Sequence, residues 1–180
     1  MQFLPSLRFN VYCAGIKNGD LSDWEFLWQK YKIEEVGIEK GKILHALACS
    51  KDPWLLIRLL EEGFGEHIRS QDISRAYAYI SNNPVGEQII WQYFVDNWDK
   101  LKKKFGESFF TIGRIIKAAT SGFQSDFQTK QLESFMKSDN ATSKYSKFKS
   151  QLEKAKTAAE WMKKHYDSLA DWFKNATETS

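Results

Sequence analysis

Catalysis needs nucleophiles, acid–base groups or metal ligands at workable spacing, and this chain offers few of them. Its three histidines, His45, His67 and His165, are scattered, and none falls in H-E-x-x-H or another zinc spacing. His45 lies four residues before Cys49, on the same face of a predicted helix, so a Cys/His metal pair could form there. Tetrahedral zinc would need two further ligands that the spacing does not supply, so a packed or surface histidine is the expected reading. Carboxylate pairs such as Asp20/Asp23 and Glu61/Glu62 sit at predicted helix ends, where they read as solvated charge. The sequence contains no G-x-S-x-G, P-loop or G-x-G-x-x-G pattern, and Gly63-Phe64-Gly65 reads as a helix stop. Cys13 and Cys49 can be a disulfide or two buried thiols; the sequence leaves both open, leaning to the disulfide. Arg58, Arg69, Arg75 and Arg114 are the positions from which a helical array could present cations to a ligand. Ion pairs with Asp72 and Glu61 are the structural alternative.

The elements that must carry these residues are helices. Residues 68–101 read as two helices meeting at a corner, with Asn83 as the cap of the second and Pro84 at its first position. Val85, Ile89, Ile90, Phe94, Trp98 and Leu101 then give one apolar face running to Lys102–Lys104 and a stop at Gly106. Upstream, residues 4–17 look helical, Ser22-x-x-Glu25 reads as a capping box, and Asp52-Pro53 starts another helix that ends at Gly63. Downstream, a helix through Ile112, Ile115 and Ala119 closes near Gly122, and Ser125-x-x-Gln128 opens the next. Tyr145, Phe148, Leu152, Ala155, Ala159, Met162, Tyr166, Leu169 and Phe173 recur at alternating three- and four-residue steps, marking one long last helix. Small Ala155 and Ala159 suggest close docking on another helix of the chain. No alternating strand pattern occurs. The fold class read here is all-α, stacked antiparallel helix pairs of HEAT or armadillo type ending in one long helix. The expected organisation is a single helical-repeat domain over 1–174, with a polar tail at 175–180.

Composition narrows the function classes. A net charge of +3 without a basic stripe gives no case for nucleic acid or an anionic membrane. No apolar run approaches the roughly 20 residues of a membrane span. The opening MQFLPSLRFN has no basic n-region and too short an apolar run for a signal peptide. Two sequons, Asn140-Ala141-Thr142 and Asn175-Ala176-Thr177, nonetheless point with the even cysteine count to an exported protein. The chain is therefore expected to be a piece of something longer.

Several stretches in order carry a resemblance: Val11-Tyr12-Cys13, then Trp24-x-Phe26-x-Trp28-x-x-Tyr31, ALACSKDPWLLIRL at 46–59, IRSQD at 68–72 and NNPVGEQIIWQYFVDNWDKL at 82–101. TIGRIIKAATSGFQSDFQTKQLESF at 111–135 and EWMKKHYDSLADWF at 160–173 continue it. Together they resemble the C-terminal helical domain of the gluzincin zinc aminopeptidases, the aminopeptidase N and endoplasmic-reticulum aminopeptidase family. The Thr/Ser-rich end, residues 177–180, is similar to the insect-type lipid-anchored members, although no anchor-signal tail follows it.

The resemblance implies a non-catalytic lid, about the last fifth of the parent enzyme, that closes over a catalytic domain and restricts which peptides enter. Zinc, the H-E-x-x-H motif and the loop that binds the free α-amine would belong to that upstream domain. This chain would hold no cofactor and no catalytic residue, and alone would not be an enzyme. Its implied partners are the catalytic domain and peptide substrates, with Arg69 and Arg75 as candidate peptide-facing residues. The resemblance also implies a Cys13–Cys49 disulfide, and an extracellular or cell-surface parent in which glycans on Asn140 and Asn175 would fit. The competing reading is an independent helical-repeat module that binds another protein.

Overall fold

The structure, a computed structural model, describes residues 4–178, the side chains of 140, 141, 177 and 178 excepted. Among the described residues there are ten α-helices, one 3₁₀ turn and no strand. They gather into two compact units, the first running to Ala119 and the second starting at Thr120.

The first unit contains α1 (Arg8–Asn18), α2 (Leu21–Ile33), α3 (Gly37–Leu47), α4 (Pro53–Glu62), α5 (Ser70–Ser81), α6 (Pro84–Asp96), α7 (Trp98–Phe105) and α8 (Phe109–Ala119). Two of its corners use the same local chemistry. At α4, Asp52 accepts the Trp54 N–H at 2.8 Å and Pro53 occupies the first helical position, where a missing donor costs nothing. At α6, Asn83 Oδ1 accepts from the amides of Val85 and Gly86 at 2.9 and 3.3 Å. The other end of the Asn83 side chain reaches much further. Its Nδ2 donates to the carbonyls of Ala48 and Ser50 at 2.8 and 2.7 Å, tying the α5–α6 corner to the α3–α4 connection. The corner is tight enough to demand glycine at 86: a Cβ there would stand 2.0 Å from the Ile80 carbonyl oxygen.

Helix α5 is the hub of this unit, packing against α3, α4, α6 and α8. Its Ile73, Ala76, Tyr77 and Ile80 are buried, as their spacing requires of a core-facing stripe. On α2, Trp24, Trp28 and Tyr31 stack along one face, with ring centroids 5.8 and 5.2 Å apart, and Trp24 Nε1 donates to the Leu47 carbonyl at 3.3 Å. Buried indoles need such a partner, and α3 supplies it.

Four boundaries differ from the sequence reading. The α1 helix begins at Arg8 rather than near residue 4. The box that opens α2 belongs to Asp20 and Asp23, not to Ser22 and Glu25. Asp20 Oδ1 accepts from Ser22 N and Asp23 N, while Asp23 Oδ2 accepts from Asp20 N, so the carboxylates satisfy the orphan donors two residues earlier. The long helix expected from Pro84 to Gly106 breaks at Asn97, whose backbone (φ −107°, ψ 11°) leaves the helical region. Asn97 Nδ2 donates to the Tyr93 carbonyl at 3.0 Å, competing for an acceptor that helix continuation uses. Finally, the expected polar tail from Asn175 is helical as far as Glu178; residues 179–180 lie outside the described residues.

The second unit holds α9 (Asp126–Ser138), a 3₁₀ turn (Asn140–Lys144) and α10 (Ser146–Glu178). Ser125 Oγ accepts the Gln128 N–H at 3.3 Å and caps α9. Gln128 Oε1 answers by accepting the Gln124 N–H at 2.9 Å, so the reciprocal bond falls one residue before the expected one. Helices α9 and α10 pack through Leu132, Phe148, Ala155 and Ala159, all buried, with the Phe135 and Phe148 rings 5.9 Å apart. The periodic seam of α10 continues past Ala159, but its burial does not. Tyr166, Leu169 and Phe173 are exposed.

Candidate functional site

The only titratable group expected to combine with a cysteine, His45, is fixed by packing. Its ring is stacked between Phe9 on α1, at 4.3 Å and 24°, and Tyr79 on α5, at 3.9 Å and 13°. Burial holds its pKa below the ordinary 6.5, because the protonated ring would have to be desolvated. Four residues further along the chain from Phe9 and from His45, Cys13 on α1 and Cys49 in the turn after α3 are joined, with alpha carbons 5.4 Å apart. The shared helix face expected of His45 and Cys49 does not form: α3 ends at Leu47, so Cys49 lies in the turn after it, and both residues are engaged with α1. Among the described residues no group of three or more His, Cys, Asp or Glu side chains could hold a metal ion. The donors present do not fit a zinc site: one imidazole is sandwiched and both sulfurs are bonded to each other. His67 meets the edge of Trp28 at 5.9 Å, and His165 sits 5.0 Å from Trp161.

The arginines divide. Arg58 pairs with Glu25 on α2, not with Glu61, and lies over the rings of Trp24 and Trp54 at 4.8 and 5.7 Å. A guanidinium stacked and paired in this way cements α2 to α4. Arg114 is exposed on α8. Arg69 and Arg75 are brought together by one acceptor. Asp72 is buried, and its two carboxylate oxygens take Arg69 Nε at 2.7 Å and Arg75 Nη1 at 3.3 Å. The side chain of Asp72 is 7% exposed while those of Arg69 and Arg75 are 51% and 57% exposed, so an inner anion holds two cations at the surface. The phenol of Tyr31 feels the same group: burial first, then the Asp72 charge, push it up to about 12. Spacing alone, three residues on either side of Asp72, made these pairs legible.

Between α1, α2 and α3 lies an apolar cleft of about 560 Å³, walled by Val11, Tyr12, Ile16, Phe26, Leu27 and Ile33. Asp23, Lys30 and Glu34 add charged groups to its lining, and Phe26, Ile33, Val36 and Ile38 are exposed apolar side chains. Of the sequon asparagines, Asn175 is exposed on α10, and the side chain of Asn140 lies outside the described residues. Thr142, which completes the first sequon, is buried, its hydroxyl donating to the carbonyls of Met136 and Asp139 at 3.0 and 2.8 Å. No described helix is long and apolar enough to cross a membrane.

The fold defines the class, an all-α helical-repeat protein. The chain matches the family described as the ERAP1-like C-terminal domain over residues 3–157, and it belongs to that family. It is 34% identical to aminopeptidase N of Rattus norvegicus over 173 residues and 33% identical to aminopeptidase N of Homo sapiens, each match covering 94% of this chain. Aminopeptidase Ey of Gallus gallus is 32% identical over 98% of the chain. In each case the matched stretch is 18% of the relative, so this chain spans less than a fifth of their length.

Proposed function

We propose that this chain is the non-catalytic C-terminal portion of a zinc aminopeptidase and acts as a lid that restricts which peptides reach the catalytic cleft. The observation that carries the proposal is the match along nearly the whole chain to a C-terminal domain family and to aminopeptidases of which it is 18%. In this reading zinc and the residues that activate water belong to the catalytic portion, and this chain supplies shape and charge. The Asp72 clamp supports it, because Arg69 and Arg75 are presented as a fixed cationic pair without either guanidinium being buried. The exposed apolar side chains of Phe26, Ile33, Val36 and Ile38 support a face covered by the rest of the parent enzyme. The Cys13–Cys49 bridge and the exposed Asn175 fit an extracellular or cell-surface parent carrying a glycan at that asparagine, and at Asn140 as well.

The test uses the parent enzyme with this sequence as its C-terminal portion. Arg69→Ala with Arg75→Ala should raise KM for long peptides several-fold and leave hydrolysis of an aminoacyl chromophore unchanged, because lid contacts reach only the distal part of a substrate. Equal loss on both substrates, or no change on either, overturns the lid. The isolated 180-residue chain with added zinc should release no chromophore; zinc-dependent turnover that vanishes on His45→Ala would overturn the non-catalytic reading.

A further inference from the structure

A cavity of about 610 Å³ opens between the end of α4 and the α6–α7 stretch. Tyr93, Asn97, Lys100 and Lys104 line it from one side, following each other at four- and three-residue steps along one face. Lys103 stands beside them, and Glu61 and Phe64 form the opposite wall. Lys104 Nζ is anchored by the carbonyls of Phe64 and Gly65 at 2.6 and 3.1 Å. Lys100 and Lys103 are exposed and have no ion-pair partner among the described residues.

Cations in the last turn of α7 answer the helix dipole, which accounts for Lys102 to Lys104. It does not account for Lys100 in the first turn of the helix, nor for Tyr93. Tyr93 is 8% exposed, and its hydroxyl has no hydrogen-bond partner among the described residues. A buried phenol left without a partner is unfavourable, and a ligand that accepts its proton would relieve that. Burial and the nearby Glu61 carboxylate hold this phenol well above its ordinary range, so it remains an O–H donor. Three ammonium groups and one O–H donor against a single carboxylate make a wall that favours an anion. The volume is larger than a bare ion requires and falls within the range of small-molecule sites.

We propose that this cavity binds a phosphate or sulfate group, with Lys100 and Lys103 pairing its charge, Tyr93 donating to an oxyanion oxygen, and Phe64 walling the body that carries it. Glu61 opposes the anion and keeps its affinity down. The site does not depend on the lid reading, since neither Arg69 nor Arg75 belongs to it.

The test titrates the ¹⁵N-labelled 180-residue chain with phenyl phosphate and with inorganic phosphate, against sodium chloride at matched ionic strength. Saturable shifts confined to the amides around 61–65 and 93–104 are expected. Tighter binding of phenyl phosphate identifies an ester as the ligand, and equal binding identifies the free ion; both support the site. Lys100→Ala with Lys103→Ala should weaken binding about tenfold or more, and Tyr93→Phe about fivefold. Glu61→Gln should tighten it. The lysines are exposed and the phenol is unpaired, so these variants keep the fold, and dispersed amide spectra verify it. Shifts reproduced by chloride, or affinity unchanged in either the lysine or the Tyr93→Phe variant, overturn the proposal.

Discussion

Replacing both cysteines with alanine isolates what the Cys13–Cys49 bridge contributes. The bridge joins residues 36 apart, and the chain-entropy model gives a loop of that length roughly 3.8 kcal/mol at 25 °C through restriction of the unfolded chain. For a protein of this size each kcal/mol moves the midpoint by about 2–4 °C, so a fall of roughly 8–15 °C is expected. The native contacts around the bridge do not depend on it. Phe9 still stacks on His45, Arg8 still pairs with Glu39 at 3.2 Å, and Lys42 still donates to the Pro5 carbonyl at 2.9 Å. Helix α1 should therefore remain formed in Cys13→Ala/Cys49→Ala, while its amides exchange faster than those of α5. Thermal melts by circular dichroism with hydrogen exchange on the same samples measure both effects. A midpoint loss below about 2 °C would refute the loop-entropy reasoning, because it would mean the unfolded chain was already held compact without the bridge.

Asn83→Ala removes a helix cap and two long-range amide bonds and should cost about 2–3 kcal/mol in denaturant unfolding. Asn83→Ser keeps the capping oxygen and should recover about 1 kcal/mol of it. His45 is held below its ordinary pKa of 6.5, so the unfolded state binds more protons as the solution is acidified. Stability should be full above that value and fall as pH drops from 6.5 toward the folded-state pKa, whereas His45→Phe keeps the ring stack and should flatten this slope in urea titrations. Removing residues 161–180 should lower the melting midpoint of the remainder little, because the side chains of α10 beyond Ala159 are mostly exposed. A large loss would mean the exposed rings of that segment support the fold.

Signals confined to a few adjacent residues were legible in the sequence. Asp52-Pro53 and Asn83-Pro84 start helices where they should, since cap and proline act on the same three or four backbone groups. Asp20 and Asp23, read from the sequence as solvated charge, are the capping box that opens α2 in place of Ser22 and Glu25, because a carboxylate accepts the same backbone donors two residues earlier. The break at Asn97 was hidden because the apolar period continues through it: Phe94 and Trp98 remain ring neighbours at 5.2 Å across the break. Periodicity also reports that a face is apolar without reporting what covers it: docking expected at Ala155 and Ala159 is present, whereas Tyr166, Leu169 and Phe173 of the same seam are exposed. At the candidate site, the Asp72 pairs lie three residues either way and could be anticipated. Arg58 with Glu25, 33 residues apart, and the unpartnered hydroxyl of Tyr93 arise only from tertiary placement.

The Asn83 side chain and the disulfide converge on three consecutive residues. Cys49 carries the covalent link to α1, and the carbonyls on either side of it, Ala48 and Ser50, take both protons of the Asn83 amide. A tripeptide turn thus works like a rivet through three layers, fastening α1, the α3–α4 connection and the α5–α6 corner at one point. A pull on α1 would be transmitted to the start of α6 without bending a helix between them. Under load, then, the strong point of this unit is not a helix or its apolar interior but a turn of three residues, and tearing should begin at the ends farthest from it.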